Sequence, residues 1–174
     1  MIKTVIQFAI LLAVLLIAQV LCSKIVLFGV ATPLIFIYFI LRLPINFSVN
    51  WTLTIAFLMG LIVDTFNNTQ GMNALSCTLL AAARKPTYEA LFIRDEDDET
   101  GNPIPSISSL GLGGYLKYMT TLVVLYCMVV FLIQAFTFHN LGLTLLRIVC
   151  SSLLTCAAIL AIDSLVSTSR EKRL

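Results

Sequence analysis

The chain has 174 residues, 59% of them hydrophobic and 11% charged, with a formal net charge of +2 and a mean hydropathy of +1.00. So much apolar surface exceeds what a water-soluble core absorbs, so the chain belongs in lipid. Its basic residues are scattered between apolar runs instead of gathered in a patch, which argues against nucleic acid as a partner.

In chain order, Lys3 precedes an apolar run from Val5 to Leu21. It would pass for a signal peptide if the next run, Ile25 to Leu41, did not begin at once, so it reads as an uncleaved first span. Gln19-Val20-Leu21-Cys22 is close to a lipoprotein cleavage box, but Leu21 stands where a small residue is needed, which argues against lipidation of Cys22. In the second run Pro33 removes one helix hydrogen bond and is expected to bend the helix, while Pro44 closes it after Arg42 and Leu43.

The third and fourth runs, 51 to 63 and 72 to 83, are short for the roughly 20 apolar residues of a spanning helix. They must recruit flanks such as Phe47 and Val49, or dip in as a re-entrant hairpin. Between them Asp64 sits at the lip of the apolar region, where a carboxylate needs water, a turn amide or a cationic partner. Asn67, Asn68, Thr69 and Gly71 supply a turn. Gly60 on one arm, and Ala74, Thr78, Ala81 and Ala82 on the other, are small enough to let helix backbones approach closely.

A cytoplasmic loop is expected over 84–112, carrying Arg94-Asp95-Glu96-Asp97-Asp98-Glu99. Its spacing lacks the glycine and the closing glutamate of a calcium loop, so it reads as a solvated charge run able to meet a basic partner. Gly111, Gly113 and Gly114 lack the context of a phosphate loop and read as a flexible lead into the fifth span. The last two runs contain Arg147 and Asp163. Arg147 is expected at a depth similar to that of Asp64, paired with it, sharing a wet polar pocket with it, or snorkelling to headgroups.

The resulting fold class is an all-α membrane protein, a six-span transmembrane helix bundle with spans at about 5–21, 25–41, 47–65, 72–92, 116–138 and 141–165, and a short polar hairpin between spans 3 and 4. With six crossings, Lys3, Arg42, Arg84, Lys85, Arg94, Lys117, Arg170, Lys172 and Arg173 all face the cytoplasm, as do both termini, which is the positive-inside pattern. Cys22, Cys77, Cys127, Cys150 and Cys156 lack metal-ligand or disulfide spacing and read as packing residues. The lone His139, beside Asn140, reads as a loop residue. Without a histidine cluster, paired aspartates or a nucleophile turn, no catalytic, cofactor or metal site is expected.

Pro33-Leu34 followed by Tyr38, then Leu43-Pro44, Gly60-Leu61-Ile62-Val63-Asp64 and Gly71-Met72-Asn73-Ala74-Leu75, resembles the MreD family of rod shape-determining membrane proteins. The likeness covers about the first half of the chain. The longer acidic loop and the Asn67-Asn68-Thr69-Gln70 turn depart from it. The resemblance implies a non-enzymatic scaffold of the bacterial inner membrane, without cofactor, that binds an MreC-like protein and couples MreB filaments to a RodA-type glycosyltransferase and a class B penicillin-binding protein. Partner contacts are expected at Pro33, Tyr38, Pro44, Gly60, Asp64, Gly71, Asn73 and Ala74, together with Arg147. It also implies a fold like the substrate-binding subunits of energy-coupling-factor transporters. A vitamin-binding subunit is therefore the rival reading, and it requires a polar, aromatic pocket near the outer third, for which Asp64, Asn67, Asn73, Trp51 and Arg147 are a thin supply.

Overall fold

A computed structural model describes residues 2–23, 33–69, 71–92, 104–134 and 141–171. Among them the protein is all-helical, with six helices: α1 (Ile2–Ser23), α2 (Ile37–Arg42), α3 (Val49–Asn67), α4 (Met72–Phe92), α5 (Ile107–Gln134) and α6 (Leu141–Glu171). Among the described residues three stretches, Val49–Asn67, Ser109–Gln134 and Gly142–Ser164, are long and apolar enough to cross a membrane, and Ile10–Leu21 is a shorter apolar stretch. Large apolar side chains cover the outside of these helices: Ile10, Val14, Ile17 and Leu21 form a stripe on α1, and Leu143, Leu146, Val149 and Leu153 lie exposed on α6. Such surface fits lipid and not water.

Packing follows chain order, with α3 lying most extensively along α4, α4 along α5 and α5 along α6. The core gathers Leu15 and Leu16 of α1, Met59 and Val63 of α3, Cys77 and Leu80 of α4, and Tyr118, Leu122 and Tyr126 of α5. At its centre all six residues of α2 are buried, from Ile37 to Arg42. The described cysteines Cys77, Cys127, Cys150 and Cys156 carry free thiols.

Several expectations change. The second span was expected as a bent helix over 25–41; residues 25–32 lie outside the described residues, and the described helix begins only at Ile37. Pro33 stands in non-helical backbone before α2, and the part of the expected bend that precedes it lies outside the described residues. Pro44 acts as expected, since Leu43 before it is extended at φ −61°, ψ 144° and α2 stops at Arg42. The loop expected over 84–112 is largely helix at its edges: α4 continues through Arg84 and Pro86 to Phe92, and α5 starts at Ile107, turning at Gly111 (φ 68°, ψ 163°) into its long arm. The acidic run 94–99, Lys24, Gln70 and His139 lie outside the described residues.

The α3–α4 contact is set by Gly60. A Cβ built there would lie 2.6 Å from both the Ala74 nitrogen and the Asn73 carbonyl oxygen, closer than real Cβ atoms come. Lipid supplies no hydrophobic drive between helices, so backbone contact of this kind carries the packing. Gly60→Ala is expected to destabilise the protein by about 1–3 kcal/mol. Gly113→Ala, where nothing lies within 4 Å, is expected to be neutral or mildly stabilising. Thermal unfolding of the two variants in one detergent compares them.

Candidate functional site

The α3–α4 elbow is built by one carboxylate. Helix α4 begins after Gly71, whose φ of 75° suits a residue without Cβ but which offers no side chain to cap the first amides of the helix. Asp64, from the last turns of α3, takes over that role. Its Oδ1 accepts the Asn73 backbone N–H at 3.1 Å and the Asn73 side-chain amide at 2.8 Å, and its Oδ2 accepts the Ala74 N–H at 2.8 Å. The Thr69 hydroxyl also donates to Oδ1. Negative charge at a helix N-terminus is favourable, and each of these bonds is charge-assisted.

The same residue closes α3. The Asp64 carbonyl accepts from the N–H groups of Asn68 and Thr69, with Asn68 in the left-handed region at φ 54°. Asn73 then passes the network onward, accepting a 2.8 Å bond from the Tyr126 hydroxyl of α5. Asp64, Asn73 and Tyr126 thus join three helices in a fully buried chain. Backbone amides do serve Asp64, but they are those of the first turn of α4 and not of the 67–71 turn. The pairing with Arg147 is not formed: Arg147 is exposed on α6, and the α4 amides already occupy the carboxylate. Trp51, grouped with Asp64 in the outer third, lies at the opposite end of α3, about 20 Å away along the helix.

A second polar centre occupies the other end of the bundle. Tyr38 and Arg42, one turn apart on α2, both reach Asp163 of α6. The Tyr38 hydroxyl donates to Asp163 Oδ1 at 2.8 Å and Arg42 Nη1 donates to the same oxygen at 2.5 Å. Arg42 also bonds the Tyr38 hydroxyl and lies 5.6 Å from its ring centroid. All three are buried. Beside them Arg84 of α4 donates through Nη2 to the Leu43 carbonyl at 2.6 Å and to that of Pro44, tying α4 to the chain after α2.

Between these centres the irregular backbone before α2 is clasped by side chains. Gln19 of α1 donates to the Pro33 carbonyl at 3.1 Å and accepts the Ile35 N–H at 2.7 Å, and Thr155 of α6 accepts the Leu34 N–H at 3.1 Å. Non-helical backbone at this position is tolerated because protein groups, not lipid, surround it. Phe36 packs edge-on against Tyr126, 6.1 Å between centroids, which links the clasp to the elbow network.

The residues singled out by sequence therefore separate. Gly60, Asp64, Gly71, Asn73 and Ala74 converge on the elbow, Tyr38 and Pro44 belong to the opposite end, Pro33 to the clasp, and Arg147 to the exposed face of α6. Sequence reading missed Gln19, Thr155, Tyr126 and the Arg42–Asp163 pair. An amide in an apolar run facing a proline, and two opposite charges each close to one end of a span, were the available signals.

Most of the elbow residues point inward. What the elbow presents outward is an open groove of about 450 Å³ lined by Leu61, Asp64, Thr65, Asn68, Thr69 and Gly71; Phe66 nearby is exposed. Among the described residues no group of three His, Cys, Asp or Glu side chains gathers. No protein-family model matches the chain, and neither does any curated protein or solved structure.

Removing one member of the buried ion pair leaves an uncompensated charge, so Asp163→Leu is expected to cost about 3–5 kcal/mol. Arg42→Met with Asp163→Leu is expected to recover most of that loss, because no charge remains buried. A double-mutant cycle on thermal stability checks the coupling.

Proposed function

We propose that the chain is a non-enzymatic scaffold of the bacterial inner membrane, a member of the MreD family with six crossings and both termini in the cytoplasm. It binds an MreC-like protein and joins MreB filaments to a RodA-type glycosyltransferase and a class B penicillin-binding protein. Support comes from the elbow. The hydrogen bonds of the Asp64 carboxylate go to groups of its own chain, so the motif that carries the resemblance builds a rigid corner and leaves no charged group free to hold a vitamin. A vitamin-binding subunit needs convergent polar groups in an enclosed pocket, whereas the groove at the elbow is open and shares its carboxylate with α4.

On this reading the inward motif residues shape the corner and the outward ones touch the partner. Phe66 and Thr65, both exposed, are the contact residues. Phe66→Ala and Thr65→Trp are each expected to weaken recovery of a co-expressed MreC-like partner by about 1–2 kcal/mol of binding free energy at unchanged abundance of the chain. Asp64→Leu is expected to lower abundance itself, since it strips the α4 amides of their acceptor. Wild-type recovery of the partner by both surface variants would count against the scaffold, and a vitamin co-purifying with the chain would favour the transporter subunit. Reporter fusions at Asn68 and Gly101 test the topology, with opposite-side signals expected for six crossings.

A further inference from the structure

Arg84 is a buried cation. It is 3% exposed, the bonds it makes go to the neutral carbonyls of Leu43 and Pro44, and its remaining neighbour is the neutral Tyr118 hydroxyl of α5. Among the described residues no carboxylate lies within ion-pair distance of it; the pairs formed are Arg42–Asp163 and Lys85–Glu89. A guanidinium taken from water without a counter-charge is costly, so an anion beside it is stabilising.

A cavity of about 150 Å³ lies against this residue, between the start of α3 and the middle of α4, lined by Phe47, Val49, Thr52, Ala82, Arg84 and Lys85. Two further features make it electropositive. Lys85 is half exposed and only loosely paired, 3.9 Å from Glu89. The cavity also sits at the N-terminus of α3, which has no acidic residue in its first turn and receives no side-chain cap from Ser48, so the positive end of the helix dipole is left for an external anion.

We propose that this cavity binds the phosphate of an anionic phospholipid headgroup. Arg84 and Lys85 supply the charge and the α3 N-terminus supplies the dipole. A lipid is the source because the rim is apolar and exposed at Phe47 and Val49, which gives acyl chains a surface to follow. Trp51 in the same first turn is exposed as well, as residues at a membrane–water boundary are. The fit between cavity and headgroup depends on neither the scaffold reading nor its partners.

Trp51 is the chain's single tryptophan and serves as the probe. The full chain is reconstituted in phosphatidylcholine vesicles, and its fluorescence is titrated with brominated phosphatidylglycerol or brominated phosphatidylcholine. Preferential quenching by phosphatidylglycerol of roughly fivefold is expected, falling to parity in Lys85→Glu and in Ala82→Phe, which fills the cavity. Arg84 is left intact because it also holds the Leu43 and Pro44 carbonyls. Equal quenching of the wild-type chain by the two lipids would overturn the proposal, as would a preference that survives both variants. Persistence of the preference in millimolar inorganic phosphate supports a lipid source; its loss there would assign the cavity to soluble phosphate and overturn the lipid site.

Discussion

In an apolar surrounding the carboxylate of Asp64 and the first amides of α4 solve each other's problem. An ionised oxygen away from water needs donors, and a helix that starts after a glycine has donors without an acceptor. The bonds from Asn73 and Ala74 to Asp64 meet both needs at once. They can form only because Gly60 lets the two backbones approach, so the small residue and the charged one are parts of a single constraint. Once the elbow is closed, Asn73 is oriented to accept from Tyr126, and α5 takes its place against α4.

The rest of the bundle repeats that logic with other groups. Backbone left open before α2 is met by Gln19 and Thr155, and the charge of Arg42 is met by Asp163 and Tyr38. Such fastenings contribute direction more than raw affinity, because lipid tails are as apolar as the leucines they would replace. A bundle held at both ends and at its centre by buried hydrogen bonds leaves its apolar outer faces unchanged by closure. This suits the scaffold role proposed above.

How legible this was in the sequence differs by element. The positions of α3, α4 and α6 followed from hydrophobic runs and polar breaks, and the elbow followed from Gly60, Asp64 and Gly71, whose types announce close approach, a needed partner and a turn. The turn amide as partner to Asp64 was among the stated alternatives; that the amides belong to α4 required the three-dimensional path of the chain. Arg42 was read for its charge sign and Asp163 as an isolated residue, because nothing local joins positions 121 apart. Pro33 was read as a bend because a proline in an apolar run has that effect inside a helix; in the structure it lies before α2, in backbone held by Gln19 and Thr155, two positions far from each other in sequence. The loop drawn from 84 overlapped the span drawn to 92, and the helix follows the span, because a polar run including Pro86 ends an apolar stretch without ending the helix.

The most direct test is a through-hydrogen-bond scalar coupling, measured by NMR on the isotope-labelled chain, between the amide nitrogens of Asn73 and Ala74 and the side-chain carboxyl carbon of Asp64. The account predicts a cross-peak from each amide, with both signals lost in Asp64→Leu. Absent couplings in the folded wild-type chain, with both amides exchanging as freely as those of an open helix end, would contradict it.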